Sequence, residues 1–383
     1  MSILASLLTI IYCTLTLWLW YYWKKIKLFG SVPGEQASNK VSIVIPVRDE
    51  AATIGSLLAD LDGQVQSDKT LYNPEQMEVI VVDDCSQDNT RAIVNLYDAK
   101  NYSLELLDLD LPHGFVGSHK KMALSQAIEI AKGEIIVTTD GDCRAGPHWI
   151  STVLSFIKNN NAVFVSAPVV YKRSKYLFKQ LQAIEFASLI GAGGACLQAR
   201  LPNMCSGANL AFTKKAYEEV GGYQDNLHIP SGDDEFLLQK ISKRFPGKAH
   251  YLKSKEAIVQ TDALPTLLSF YHQRKRWAGK WKLHKSLPTA LLAIFIFGFH
   301  TVLLAIAVLT IVGQFSFLLF AILLLFKAVS EFVYLHEVLR TLDKKLQLTN
   351  FILLQLIYSP YAIFFGLAAN VGGYRWKSRS YEG

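Results

Sequence analysis

At 383 residues the chain can hold one large domain or two smaller ones. It is 51% hydrophobic, with a mean hydropathy of +0.21, and its apolar residues pile up at the two ends. The formal charge of +7 comes from Lys and Arg clustered beside those runs, a placement that suits a membrane surface and not a nucleic-acid footprint. Five cysteines, an odd count with no C-x-x-C spacing, indicate neither a disulfide framework nor a zinc site; they read as buried free thiols.

Ile3 to Trp23 is apolar apart from small hydroxyls and one cysteine, about long enough to span a bilayer. Trp18, Trp20, Tyr21, Tyr22 and Trp23 form an aromatic belt at its far end, and Lys24, Lys25 and Lys27 follow. Charges after the run, with none before it, put the carboxyl side in the cytoplasm; a cleaved signal peptide would carry its charge first. Gly30, Pro33, Gly34, Ser38 and Asn39 mark a short polar linker.

Strands then alternate with helices. Val41 to Pro46 reads as a strand, Val47-Arg48-Asp49-Glu50 as its exit, and Ile54, Leu57, Leu58 and Leu61 as a helical face. Glu78 to Val82 is a second strand that leaves through Asp83 and Asp84; Tyr102 to Leu109 is a weaker third, and Ala123 to Ala131 a helix. This alternation predicts parallel pairing with right-handed crossovers. A fourth strand from Ile135 runs into Thr139-Asp140-Gly141-Asp142, two carboxylates at the rim where open α/β sheets bind ligands. Gly141 allows a close turn, so both acids can face one small cation; such oxygen ligands suit Mg2+ or Mn2+ shared with a phosphate. The bland alternative is a polar turn. Asp83 or Asp84 can accept hydrogen bonds from a base or ribose, Asp88 can cap the next helix, and Lys120 can meet a diphosphate, although by itself it reads first as a solvated lysine. No Gly-x-Gly-x-x-Gly follows a strand, and no P-loop is present.

Further on, Ala162 to Val170 reads as a strand, Tyr176 to Ile190 as a helix, and Gly191-Ala192-Gly193-Gly194-Ala195 as a flexible, closely packing stretch. Cys205 to Phe212 puts small residues before a strand, and Lys214 to Val220 is a short helix closed by Gly221-Gly222. Asp233, Asp234 and Glu235 open another helix, where acids suit either the macrodipole or a general base beside a donor site. Phe270 to Trp281 is basic and aromatic: an interfacial belt of snorkelling cations, a set of cations for a diphosphate leaving group, or each for different residues.

Leu287 to about Ile311, Phe315 to about Leu335 and Phe351 to about Val371 read as three further spans, the last containing Pro360. His336 to Asn350 reads as a cytoplasmic loop or interfacial helix, and Lys327 and Glu331, one turn apart, as a pair or as snorkelling charges. Four spans with a cytoplasmic centre put both ends outside, which conflicts with Arg375, Lys377 and Arg379 at the carboxyl end.

Taken in order, these motifs resemble the family 2 glycosyltransferases of GT-A fold, in the membrane-embedded branch with the cellulose, chitin, hyaluronan and poly-N-acetylglucosamine synthases and many non-processive lipid glycosyltransferases. Pro46, Asp49 and Glu50 look like the family's opening strand and loop, and Asp83 and Asp84 like its nucleotide-recognition acids. Lys120 in Lys120-Lys121-Met122-Ala123-Leu124 resembles the lysine over the donor diphosphate. Asp140-Gly141-Asp142 matches the D-x-D metal motif, Gly232-Asp233-Asp234 the motif whose last aspartate is the base, and Gln273, Arg276 and Trp277 the Q-x-x-R-W motif. Val47-Arg48 stands where an aromatic is often found, a departure that touches donor contacts only.

The resemblance implies an α/β fold with a GT-A-type, mostly parallel nucleotide-binding sheet flanked by helices, plus one N-terminal and about three C-terminal transmembrane helices. The implied layout is an anchor at 1–27, a linker at 28–40, a cytoplasmic catalytic domain at 41–285, a bundle at 286–373 and a polar tail at 374–383. The implied activity, at the cytoplasmic membrane, is inverting, metal-dependent transfer of a sugar from a nucleotide-diphosphate sugar to a lipid-associated or membrane-proximal glycan acceptor. Asp142 and Asp140 would hold Mg2+ or Mn2+, Asp234 would be the base, and Gln273, Arg276 and Trp277 would complete the site. A cell-envelope polysaccharide or glycolipid would be the product, and membrane lipids rather than nucleic acid the surroundings. The alternatives are a processive polysaccharide synthase and, in another class, a transporter or scaffold with a nucleotide-sensing domain. Few internal acids in the spans argue against a transport path, and intact Asp142 and Asp234 against a scaffold.

Overall fold

The structure, a computed structural model, describes residues 1–30, 40–279, 287–377 and 379–381. Most of the expected linker, and residues 280–286 with the end of the Phe270 to Trp281 run, lie outside the described residues. In chain order the elements are α1 (Ser2–Lys25), β1 (Val41–Val47), α2 (Ile54–Asp62), β2 (Met77–Asp83), α3 (Thr90–Leu96), β3 (Ser103–Asp108), α4 (His119–Ile130), β4 (Ile135–Thr138), β5 (Arg144–Ala145), α5 (Trp149–Asn160), β6 (Phe164–Ser166), β7 (Val169–Tyr171), α6 (Leu177–Gln198), β8 (Leu210–Thr213), α7 (Lys214–Glu219), α8 (Asp233–Arg244), β9 (Ala249–Tyr251), β10 (Val259–Thr261), α9 (Leu267–Gly279), α10 (Leu287–Ile311), α11 (Phe317–Thr341), α12 (Leu348–Ala368), β11 (Tyr374–Trp376) and β12 (Arg379–Tyr381). They form two compact units, one of residues 25–172 and 192–262, the other of residues 1–24, 173–191 and 263–383.

The first unit is built on a seven-stranded sheet in the order β3-β2-β1-β4-β8-β6-β9. β1 pairs in parallel with β2 and β4, and β2 with β3, as the alternation with helices predicts. Both β1 and β2 are buried along almost their whole length, which explains their near-continuous Val and Ile content. β8 then enters antiparallel to both β4 and β6, so the sheet is mostly parallel, with one reversed strand. The expected strand from Ala162 to Val170 is two strands: β6 stays in this sheet, and β7 joins a second sheet beside β10. The break falls at Ala167-Pro168, where proline has no N–H for a ladder.

The second unit contains four helices long and apolar enough to cross a membrane, within α1, α10, α11 and α12, which is the expected arrangement of one and three. α11 runs on to Thr341, so the first part of the expected loop is helical. Lys327 and Glu331 do pair, at 2.8 Å, and Lys327 is buried. Tyr12 of α1 donates to Glu331 Oε1 at 2.5 Å, and Gln355 of α12 donates to Glu331 Oε2 at 2.7 Å, so one carboxylate ties three helices together. The small-residue stretch from Gly191 is not a flexible segment. It lies inside α6, and a Cβ on Gly191 would fall 2.6 Å from Val338 Cγ2 and 2.7 Å from the Tyr334 hydroxyl. Glycine stands there because α11 leaves no room for a side chain.

Candidate active site

The site begins at the carboxyl ends of β1 and β2. Pro46 is tolerated in β1 because β4 pairing has already ended at Val44, opposite Thr138. Arg48, buried, donates to the carbonyls of Asp84 and Cys85 and so locks the two strand exits together. Asp49 and Cys85 hold left-handed backbone at φ 52° and 55°, a conformation that Asp adopts more readily than Cys. The two loops are laced by Gln87 N–H to Asp49 Oδ1 at 2.8 Å, Asp49 N–H to Ser86 Oγ at 3.0 Å and Glu50 N–H to Thr90 Oγ1 at 2.7 Å. Asp83 closes its own turn by accepting Ser86 N–H at 3.2 Å, and Asp84 faces His119 Nδ1 at 2.9 Å. Asp88 accepts the N–H groups of Ala51 at 3.0 Å and of Thr90, the first residue of α3, at 2.9 Å, in line with the expected helix cap.

β4 stops at Thr138, and the D-x-D turn follows. Gly141 is required by proximity: a Cβ there would lie 2.8 Å from Val47 Cγ1 and 3.2 Å from Glu50 Cγ. The turn is therefore pressed against the β1 exit. Asp142 Oδ2 accepts the Thr261 hydroxyl of β10 at 3.1 Å. Asp140 Oδ1 takes a hydrogen bond from Lys120 Nζ at 2.7 Å, and the same ammonium stands 3.4 Å from Asp233 Oδ2. Burial works against charge on Lys120, but Asp140, Asp233 and Asp234 outweigh it and hold the ammonium well above the ordinary lysine range.

Asp234 sits in the first turn of α8 behind Gly232, whose φ of +79° only glycine adopts readily. The N-cap residue is Gly232, and Asp234 Oδ1 accepts the first-turn N–H of Glu235 at 2.9 Å. Asp234 Oδ2 accepts Gly207 N–H at 3.1 Å, and Gly207 is anchored through its carbonyl by the Thr138 hydroxyl at 2.9 Å. A Cβ on Gly207 would lie 2.9 Å from Asp233 Oδ2 and 3.4 Å from Lys120 Nζ. Lys120, Asp140, Asp233, Asp234 and Gly207 thus form one cluster, joining stretches far apart in sequence.

Among the described residues no three His, Cys, Asp or Glu side chains converge as a closed metal cage. Two aspartates on one turn supply hard oxygens and leave the remaining positions to phosphate and water, a donor set that fits Mg2+ or Mn2+.

Gln273, Arg276 and Trp277 belong to the other unit, on α9. There Arg274, buried, donates from Nε to Glu185 Oε1 at 3.0 Å and from a second nitrogen to Glu185 Oε2. It also donates to Gln273 Oε1 and lies 4.3 Å from the Trp277 ring centre. Trp277 further stacks on Phe186 at 6.0 Å, and Arg276 is half-buried. The sequence reading named Arg276 and passed over Arg274, whose partner lies in a distant helix. It also passed over Gly207, Thr261 and His119. Of these only Gly207 gave a signal, as a glycine between small residues ahead of a strand.

The family profile described as glycosyl transferase family group 2 matches residues 135–367, and that described as glycosyl transferase family 2 matches residues 42–221. The glycosyltransferase AglE of Haloferax volcanii is 30% identical over 202 residues, 51% of this chain and 58% of that protein. A poly-beta-1,6-N-acetyl-D-glucosamine synthase of Staphylococcus epidermidis is 27% identical over 222 residues, 55% of this chain and 49% of that protein. The chain thus spans about half the length of the relatives it matches. A mannosyltransferase of Pyrobaculum calidifontis, solved in complex with GDP-Man and Mn2+, has the same fold, with a TM-score of 0.55 at 17% identity over 96% of both chains.

Proposed function

We propose, from the premise that this chain belongs to glycosyl transferase family group 2 and is a membrane-associated glycosyltransferase, that it moves a sugar from a nucleotide-diphosphate donor to a hydroxyl of a lipid-associated or membrane-proximal acceptor with inversion. The observation that carries this reading is Lys120, 2.7 Å from Asp140 and 3.4 Å from Asp233. One cation joins the acid of the D-x-D turn to the acid beside the base.

In this reading Asp83 and Asp84 bind the nucleoside, and Pro46, Asp49 and Glu50 line its approach. Asp234, oriented by Gly207 N–H at 3.1 Å, takes the proton of the acceptor hydroxyl as that oxygen attacks the anomeric carbon. A base with no enzyme nucleophile is the arrangement of a single displacement, which inverts, by analogy with inverting hydrolases. Lys120 stays protonated and faces the developing negative charge, a task in which the Q-x-x-R-W resemblance would include Arg276. A Mg2+ or Mn2+ ion on Asp142 and Asp140 would neutralise the departing diphosphate. By the same resemblance Gln273 and Trp277 would complete the motif, with Trp277 able to stack on a sugar ring. Sugar nucleotides are made in the cytoplasm, so the sheet unit is assigned to that face, with Lys24, Lys25 and Lys27 retained beside it.

The second reading is a processive polymer synthase. The Q-x-x-R-W motif and the Staphylococcus epidermidis relative favour it. Against it, residues 287–335 are mostly Leu, Ile, Phe, Val and Ala, a poor lining for a sugar path. Membranes carrying the protein, incubated with a panel of nucleotide sugars and sized for product, decide between them. Transfer of single or few sugars to a lipid fraction is expected; a ladder of long glycan without added acceptor would establish the polymerase.

A further inference from the structure

The geometry points to Lys121 as a positioning residue for the base: it clamps the loop that presents Asp234. This rests on the reading of Asp234 as the base. Lys120 and Lys121 are neighbours at the start of α4 but face different parts of the structure. Lys121 is fully buried, and its Nζ donates to the carbonyls of Asn226 at 2.8 Å and Ile229 at 3.1 Å. The same ammonium stands 4.9 Å from the centre of the Phe236 ring. That ring covers the turn before α8, since a Cβ on Gly232 would fall 2.8 Å from Phe236 Cε2. Lys121 therefore holds both the loop at 226–231 and, through Phe236, the glycine from which Asp233 and Asp234 project.

The loop has an internal turn, Ile229 N–H to the Asn226 carbonyl at 3.1 Å, and α4 adds further ties to it. Ser118 N–H donates to the Leu227 carbonyl at 2.8 Å, and a Cβ on Gly117 would lie 2.6 Å from that oxygen. The loop's own buried Asn226 Oδ1 and Ser231 Oγ have no hydrogen-bond partner among the described residues. A fully buried lysine is costly, and packing alone would be served by Met or Leu. Its charge supplies a donor to the Ile229 carbonyl and a second donor to the Asn226 carbonyl, which also accepts Ile229 N–H at 3.1 Å. Successive residues of one turn thus grip the donor acid, through Lys120, and the loop of the base, through Lys121.

The test uses the full chain in detergent or membranes, with Mn2+ and UDP or GDP as binding probes and a nucleotide sugar the wild type turns over as substrate. Lys121→Met is expected to lower kcat about 100-fold, the scale of a misplacement near 1 Å, with KM for the donor and binding of the Mn2+-nucleotide unchanged. Hydrogen exchange across residues 226–237 should quicken. Phe236→Leu keeps the two hydrogen bonds but removes the ring from Gly232, and should give a smaller loss confined to kcat; it decides the matter if Lys121→Met does not fold. Wild-type kcat in the folded variants, or nucleotide binding lost in proportion to kcat, would overturn the proposal. Asp234→Asn separates the two claims. If that variant still transfers sugar, the base assignment fails; if it is inactive while Lys121→Met is fully active, only the positioning role fails.

Discussion

Gly207→Ala places a methyl group inside the proposed catalytic cluster without replacing any charged residue. Gly207 is absent from the glycines with positive φ, so alanine's backbone is permitted and the effect is steric. The added Cβ would stand 2.9 Å from Asp233 Oδ2, 3.4 Å from Lys120 Nζ and 3.8 Å from Asp234 Cβ. The first distance is too short to persist, so the Asp233 carboxylate must move, and it is held by the Lys120 ammonium at 3.4 Å. Relieving such overpacking costs about 1–3 kcal/mol in a core, and the low end applies because the clashing atom ends a side chain. At about 1 kcal/mol a unit of this size should lose about 2–4 °C in its melting midpoint. The catalytic loss should be much larger than this stability loss, about 10–100-fold in kcat, because Asp234 takes its orientation from the same Gly207 N–H. Release of nucleoside diphosphate and thermal unfolding, measured on one preparation, give both numbers. Wild-type turnover together with the lowered melting midpoint would refute the claim that this glycine orients the base.

Asp142→Ala should abolish turnover and the Mn2+-dependent part of nucleotide binding, read by calorimetry with and without metal; unchanged metal-dependent binding would remove Asp142 from the metal set. Lys120→Met should leave Asp140 and Asp233 facing each other without their cation, lowering kcat while the pH profile of the wild type shows no alkaline limb from a lysine, since the three carboxylates hold Lys120 protonated across the working range. Lys327→Met leaves Glu331 buried without its ion pair and should destabilise the helical unit by about 3–5 kcal/mol, whereas Lys327→Met with Glu331→Gln should recover most of that; equal stability of the two variants would contradict the pairing. The carboxyl tail is tied to α9 by Lys275 Nζ on the Val371 carbonyl at 2.5 Å and Arg375 N–H on His272 Nδ1 at 3.2 Å. It is therefore expected on the side of α9, where the positive-inside rule wants Arg375 and Lys377. A membrane-impermeant thiol reagent should label Gly372→Cys only after cells are opened, and labelling in intact cells would reverse the assignment.

Much of the sheet unit was legible because its signals are local. The apolar run from Ile135 into two acids specifies a buried strand ending at a rim, and Gly221 and Gly222 close α7 with positive φ as a C-cap should. Long apolar runs with flanking lysines gave the four helices for the same reason. Non-local features escaped. Nothing near Gly191 in sequence announces that α11 presses against it, so a run of small residues read as flexible when it is a helix packed at close quarters. Ala162 to Val170 is apolar throughout, and only the placement of Pro168 between two sheets shows where it divides. The roles of Lys120 and Lys121 were the least legible. Adjacent lysines at a helix start look equivalent, yet one meets two carboxylates and the other is buried beneath a loop more than a hundred residues away.

The most direct test of the central claim is nucleoside diphosphate release from a panel of nucleotide sugars by membranes containing the wild type, Asp142→Ala or Asp234→Asn, each with Mn2+ and with chelator. The account predicts release by the wild type with metal only, no release by either variant, and Mn2+-nucleotide binding retained by Asp234→Asn but lost by Asp142→Ala. Equal release by the wild type and Asp234→Asn, or release that survives chelation, would contradict it.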